Sequence, residues 1–107
     1  MKFYYENNMG DYGVFQETDL VKAIYTAWNI EATLYLINSD VKKLNIKKDF
    51  FKQTKIVFSP WADNEFNSEL LKDFGYFMVD GNEYREIREV KTDKIVKYDW
   101  DEVKQLV

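Results

Sequence analysis

The feature that most constrains the fold is the spacing of the apolar residues, which alternates between the period of a strand and that of a helix. In the first segment, Phe3 and Tyr5 occupy every second position. The turn-forming run Asn-Asn-Met-Gly-Asp follows at residues 7–11, and residues 12–16 resume an extended pattern. Such a pattern on both sides of a glycine-containing turn is typical of a β-hairpin. We therefore predict an N-terminal hairpin.

The next apolar residues are spaced as in a helix. Leu20, Ile24 and Trp28 recur every fourth residue, which places them on one helical face. Thr18 stands where N-cap residues are preferred. The pattern predicts a helix over residues 19–28 with Thr18 as its N-cap.

The middle of the chain indicates a strand, then a loop-rich stretch, then another strand. Residues 30–37 alternate in polarity, and the alternative, a continued helix, would place Glu31 within the apolar stripe. We expect a strand there, at most one helical turn over residues 41–44, and irregular structure or a short helix over residues 47–54. The apolar run at residues 56–58 predicts the next strand.

A second helix is expected over residues 68–74. Asn67 is placed to cap its first turn, and Gly75 stands where helices commonly end. The pattern leaves an earlier start open.

Three extended segments follow this helix. Residues 76–79 and 83–90 flank the Asp-Gly-Asn sequence at residues 80–82, and residues 95–98 are again apolar at intervals. An Asp-Gly pair supplies the positive φ that tight hairpin turns need. We predict a three-stranded meander with a tight first turn.

The last segment is expected to be helical, because Asp99 is placed to cap a helix containing Val103 and Leu106. No linker rich in proline, glycine or serine divides the sequence, so residues 1–107 are expected to form one domain. The order of elements predicts an α+β fold in which two to three helices pack on a mainly antiparallel sheet.

Cysteine and histidine are both absent. Without them the chain cannot form a disulfide framework, a thiolate metal site or a Ser-His-Asp or Cys-His catalytic arrangement. Residues 1–6 lack the apolar stretch of a signal peptide, and no run reaches the ~18 apolar residues of a membrane span. We expect a cytoplasmic protein with no membrane contact.

Carboxylates are the abundant reactive groups that remain. Nineteen acidic residues make chance pairs inevitable, and neither Asp63 with Glu65 nor the cluster over residues 99–102 follows the ligand spacing of a calcium loop. A glycine-rich phosphate loop is also absent. We therefore predict that the protein is not an enzyme and holds no metal or cofactor.

Aromatic side chains make up 18% of the residues, which is difficult for a small core to hide completely. Exposed tryptophan and tyrosine are enriched at protein interfaces. Trp61 follows a Ser-Pro pair that should end a strand, so its ring is expected either to be exposed or to anchor the loop. With Phe66, Asp63 and Glu65 it forms the predicted protein-binding site.

The charge is unevenly distributed. Residues 40–55, which we call the basic segment, carry six lysines and two aspartates for a net charge of +4, whereas the whole chain has a net charge of −4. Lysines beside aromatic rings suit single-stranded nucleic acid. An alternative binding site is therefore formed by Lys42, Lys43, Lys47, Lys48 and Lys52. Phe50 and Phe51 of the same segment are expected to be core residues.

Together these features favour a non-catalytic protein-interaction module with an unidentified protein partner, and a homodimer is compatible with this interpretation. The short, acidic, aromatic-rich and cysteine-free composition is similar to that of many accessory proteins of phages, plasmids and conjugative elements of AT-rich bacteria. Two alternatives stay open: an acidic inhibitor that mimics nucleic acid and blocks a host defence nuclease, and a nucleic-acid-binding protein that uses the basic segment. The net negative charge disfavours nucleic acid as a partner without excluding it.

Overall fold

A computed structural model describes residues 1–106, which form two antiparallel sheets and three helices. The strands are Lys2–Glu6 (β1), Tyr12–Gln16 (β2), Thr33–Ile37 (β3), Thr54–Phe58 (β4), Tyr76–Asp80 (β5), Arg85–Glu89 (β6) and Ile95–Val96 (β7). The helices are Leu20–Asn29 (α1), Phe50–Gln53 (α2) and Asn64–Leu71 (α3), and short 3₁₀ turns cover Lys72–Phe74 and Trp100–Glu102. The sheet orders are β2-β1-β3-β4 and β5-β6-β7, which confirms the predicted α+β class, the N-terminal hairpin and the C-terminal meander.

Alternation along β1 separates the two faces of the four-stranded sheet. Phe3 and Tyr5 lie in the core, where their ring centroids are 5.5 and 6.0 Å from that of Phe15 on β2. Tyr4 lies on the opposite face, where its ring centroid is 5.9 Å from that of Tyr35 on β3. Because neighbouring residues of a strand point to opposite faces, the core occupies one side of this sheet.

Helix α1 lies in the core and is capped by Asp19 rather than by Thr18. The Asp19 carboxylate accepts hydrogen bonds from the N–H groups of Val21 and Lys22, at 2.9 and 3.2 Å. It also accepts a hydrogen bond from the Tyr98 hydroxyl. The prediction that Thr18 caps the helix is therefore wrong. The Asp19 carboxylate has two oxygens, so one can accept the N–H groups of the helix while the other accepts the hydrogen bond from Tyr98.

The segment after α1 contains the predicted strand and not a continued helix, but β3 begins only at Thr33. The N–H groups of Ile30 and Ala32 both donate to the carbonyl oxygen of Ala27, at 3.2 and 2.9 Å. Between them, Glu31 adopts a φ of 51°. This left-handed residue ends the helix and delays the start of the strand.

The stretch between β3 and β4 is mostly irregular, as expected. Residues 42 and 43 form a bend, and residues 41–44 contain no helical turn. Helix α2 is a single turn that starts after Asp49, and β4 begins directly behind it at Thr54. So short a helix depends on its packing for stability.

Helix α3 begins earlier than residue 68, and its cap differs from the prediction. The Asp63 carboxylate accepts a hydrogen bond from the Phe66 N–H at 2.8 Å and is the N-cap. The predicted cap, Asn67, is fully buried inside the helix. Its side chain accepts from the N–H of Ser59 and donates to the carbonyl oxygen of Ser59, at 3.0 and 2.9 Å. The Asn67 prediction is wrong because a tertiary contact uses its amide.

The first turn of the meander is longer than predicted. Asp80 of β5 pairs with Arg85 of β6, which leaves a four-residue loop. Gly81 does not adopt the predicted positive φ. A Cβ at this position would collide with the Glu86 carboxylate, so the glycine permits a close approach and not a left-handed turn.

The predicted final helix is wrong. The Glu102 carboxylate accepts a hydrogen bond from the Asp99 N–H at 3.1 Å and closes a single 3₁₀ turn, after which Val103 is extended and buried in the core. A helix over so few residues has little stability of its own. Burial of Val103 therefore decides the backbone conformation.

Candidate functional site

A groove of about 600 Å³ lies between the end of α1, the loop after β4, the loop after β5 and the segment after β7. Its aromatic lining residues are Tyr25, Trp28, Trp61, Tyr84, Tyr98 and Trp100. These include all three tryptophans of the chain, although Trp28 and Trp100 are 72 positions apart. We call this site the tryptophan groove.

The floor of the groove is built on α1. Tyr25 and Trp28 have ring centroids 6.0 Å apart, and Trp28 packs on the core residue Phe58 at 5.5 Å. The Tyr25 hydroxyl donates to the carbonyl oxygen of Val96 at 3.3 Å. Burial, and to a lesser degree the nearby Tyr84, raises the pKa of Tyr25. The hydroxyl is therefore protonated at neutral pH and serves as a hydrogen-bond donor.

Arg85 connects this floor to the loop that carries Trp61. Its guanidinium donates to the carbonyl oxygens of Pro60 and Ala62, both at 2.7 Å, and lies 5.4 Å from the centroid of the Trp28 ring. The planar guanidinium can make both hydrogen bonds while it stacks on an indole. Because the two carbonyls flank Trp61, Arg85 fixes the backbone from which the Trp61 ring projects.

The rings at the rim of the groove are exposed. The exposed fraction is 69% for Trp61, 54% for Trp100 and 54% for Tyr84, whereas Tyr25 on the floor is buried. The centroid of Trp100 is 5.7 Å from that of Tyr25, so the rim packs directly on the floor. Lys97 places its Nζ atom 5.5 Å from the centroid of Tyr84. Trp61 and Trp100 thus have accessible indole surface on a firmly packed base.

Carboxylates dominate the charge around the groove. Six exposed acids either line it or lie within two positions of a lining residue: Glu31, Asp63, Glu83, Asp99, Asp101 and Glu102. Within residues 1–106, none of the six forms an ion pair. The basic lining residues are Arg85, which is bonded to two carbonyls, and Lys97. The surroundings are therefore negative and favour a positively charged ligand.

The predicted protein-binding residues are only partly brought together. Trp61 lines the groove and is exposed. Asp63 lies beside it in sequence but is engaged as the N-cap of α3. Phe66 and Glu65 are exposed on α3 and do not line the groove. Of the four residues, Trp61 therefore supplies the contact surface and Asp63 contributes charge nearby.

The basic segment lies elsewhere, and its predicted lysines are all exposed. Lys52 is 4.0 Å from Asp49. In the part of the chain that the structure describes, no ion pair involves the other four, which are Lys42, Lys43, Lys47 and Lys48. None of the five lines the tryptophan groove.

The two phenylalanines of the basic segment have different environments. The ring centroid of Phe50 is 5.5 Å from that of Tyr4 and 5.0 Å from that of Tyr35, on the outer face of the four-stranded sheet. Phe51 is 87% exposed, so the prediction that it belongs to the core is wrong. Because α2 is one turn long and packs through Phe50, the next side chain along the helix points away from that contact.

Sequence reasoning missed most of the groove. Trp28 continues the apolar stripe of α1, so its position indicates a core residue. Trp100 lies in the first turn of the helix that the sequence predicts after Asp99, so it carries no signal of a binding site. Tyr84 and Arg85 carry no local signal, because their role depends on the pairing of β5 with β6. The available hint was the presence of three tryptophans in a small domain.

Comparisons with protein-family models, with curated proteins and with solved structures found no match for this chain. Within the described residues, no group of three or more acidic side chains is placed to hold a metal ion. None of the helices in residues 1–106 is both long enough and apolar enough to span a bilayer.

Proposed function

We propose that this protein is a non-catalytic protein-interaction module that binds a positively charged segment of a polypeptide in the tryptophan groove. The observation that supports this most is the make-up of the groove, where three tryptophans, three tyrosines and Arg85 converge. These are the residue types that contribute most of the binding energy at protein interfaces. A volume of about 600 Å³ suits a few side chains of a partner segment.

Some residues of the groove contact the ligand directly, and others position those contact residues. Trp61 and Trp100 offer exposed indole faces to the aliphatic stem and charged head of a lysine or arginine. Arg85 holds the loop that carries Trp61. The carboxylates around the rim attract the same positive charge over a longer distance and increase the rate of association.

A peptide-library screen tests this proposal. The immobilised protein is expected to enrich peptides that contain lysine or arginine next to an apolar residue. Trp61→Ala is expected to lower the affinity for the best peptide about 30-fold. This corresponds to a loss of ~2 kcal/mol of binding free energy, as at an interface hot spot. Titration calorimetry on the wild type and the variant measures this difference.

Tyr12→Ala is the matched control, because Tyr12 is an exposed ring on β2 outside the groove. It should bind the same peptide with wild-type affinity. Enrichment of acidic peptides, or an equal loss of affinity in both variants, would contradict the proposal. Thermal unfolding of each variant verifies that the fold is retained.

A further inference from the structure

The basic segment has the properties that the tryptophan groove requires of a ligand. Lys42, Lys43, Lys47 and Lys48 are exposed, and the described residues provide no ion-pair partner for them. Phe51 adds a large apolar side chain that is 87% exposed. Several unpaired cations beside one exposed ring complement a negatively charged, aromatic groove in both charge and polarity.

The segment is separated from the groove of its own chain by the four-stranded sheet. Phe50 anchors it on the face that carries Tyr4 and Tyr35. Helix α1, whose Tyr25 and Trp28 form the floor of the groove, packs in the core on the opposite face. Contact between the segment and a tryptophan groove therefore requires two molecules.

We infer that the basic segment of one copy binds in the tryptophan groove of a second copy. This inference rests on the proposed function, because it uses the same receiving site. The two surfaces lie on opposite sides of the four-stranded sheet, so we infer a head-to-tail contact that leaves one segment and one groove free on the assembly. The interface is small, so association is weak, and its dependence on charge makes it sensitive to salt.

Sedimentation velocity of the wild-type protein provides the first test. The average mass is expected to rise with protein concentration at about 0.1 M salt. It should return toward the monomer at about 1 M salt, because the Debye length falls from ~10 to ~3 Å between these conditions. A wild-type protein that stays monomeric up to millimolar concentration at low salt overturns the inference.

Complementation between two defective variants provides the decisive test. The groove variant combines Trp61→Ala with Glu31→Gln, and the segment variant combines Lys47→Gln and Lys48→Gln with Phe51→Ala. Each variant alone is expected to stay monomeric. An equimolar mixture is expected to form a heterodimer that does not grow further, because one variant retains a working segment and the other a working groove. A mixture that stays monomeric overturns the inference.

Lys91→Glu combined with Tyr12→Ala is the control, because both residues are exposed and lie outside the groove and the basic segment. It should associate as the wild type does. All variants should keep the wild-type melting temperature, because every altered side chain is exposed.

The peptide screen distinguishes failure of this inference from failure of the proposed function. A monomeric wild type that still binds basic peptides through Trp61 overturns self-association alone. A monomeric wild type that binds no peptide overturns both. A monomeric protein that binds a single-stranded oligonucleotide through Lys47 and Lys48 overturns the inference in favour of nucleic acid as the ligand of the basic segment.

Discussion

At the scale of single residues, a buried amide holds the loop that leads to Trp61. Asn67 exchanges two hydrogen bonds with the backbone of Ser59, at the start of that loop. Asn67→Leu keeps a similar side-chain volume but leaves the Ser59 N–H and carbonyl without these partners. We expect the free energy of unfolding to fall by about 2–3 kcal/mol, as measured by urea denaturation.

An exposed asparagine provides the control for this prediction. Asn82 lies in the loop after β5 and is exposed. Asn82→Leu should change the free energy of unfolding by less than about 0.5 kcal/mol. If the two substitutions have equal effects, the two hydrogen bonds of Asn67 do not contribute to stability as the geometry indicates.

A second residue, Tyr4, links stability to alkaline pH. Burial above all, and then the Glu6 carboxylate, raises the pKa of Tyr4 from its usual 10.0 to about 12. The folded state therefore holds the phenol proton more tightly than the unfolded state. The stabilisation is present below about pH 10 and is lost as the pH rises through about 12. This raised pKa corresponds to at most about 2.7 kcal/mol of the free energy of unfolding.

Urea denaturation across this pH interval tests the effect. The wild type should lose stability, and Tyr4→Phe, which cannot ionise, should lose less over the same interval. Parallel pH profiles for the wild type and Tyr4→Phe would show that Tyr4 does not carry this dependence.

At the scale of elements, α3 protects an edge of the three-stranded sheet. The Ser68 hydroxyl donates to the carbonyl oxygen of Met78 at 3.0 Å and accepts from its N–H at 2.8 Å. Met78 lies on β5, an edge strand, and unpaired edges promote aggregation. Ser68→Ala is expected to cost about 1–2 kcal/mol and to accelerate aggregation on heating. Urea denaturation and light scattering measure the two effects.

The control for this edge is Ser39→Ala, because Ser39 is exposed in the turn after β3. It should leave both stability and the rate of aggregation unchanged. If Ser68→Ala aggregates no faster than Ser39→Ala, the serine satisfies the backbone of β5 without protecting the edge.

The sequence correctly predicts the elements whose conformation depends on the local spacing of apolar residues. Strands β1 to β3 and helix α1 follow from the period of their apolar residues, and Gly75 adopts the positive φ expected after a helix. The misses are positions where a distant partner intervenes. The Tyr98 hydroxyl donates a hydrogen bond to Asp19, the residue that caps α1. The Glu86 carboxylate lies so close to Gly81 that a Cβ would not fit there, although Gly81 is not left-handed.

The same distinction applies to the candidate site. Trp61 could be identified because a local Ser-Pro pair precedes it. Trp28 and Trp100 could not, because the groove exists only once the ends of α1 and of the C-terminal segment pack together. Contacts between segments so far apart in the chain produce no periodic pattern of residues in a single sequence.

At the scale of the whole molecule, the fold places opposite charges on different sides of the four-stranded sheet. The basic segment covers one face, and the acidic rim surrounds a groove built on the other side. A symmetrical contact between two grooves would bring carboxylates against carboxylates, which is unfavourable. Head-to-tail contact instead pairs unlike charges, so the distribution of charge favours the geometry that we infer.

The packing of the C-terminal segment on α1 also affects how the chain folds during its synthesis. Tyr98 donates to Asp19, and Val103 contributes to the core around α1. At the ~5–20 residues per second of translation, Val103 is made about 4–15 s after α1. Until then, the side of α1 that these residues cover remains open to solvent. The nascent chain therefore presents an apolar helix to ribosome-associated chaperones for longer than a chain whose helices are covered by their neighbours in sequence.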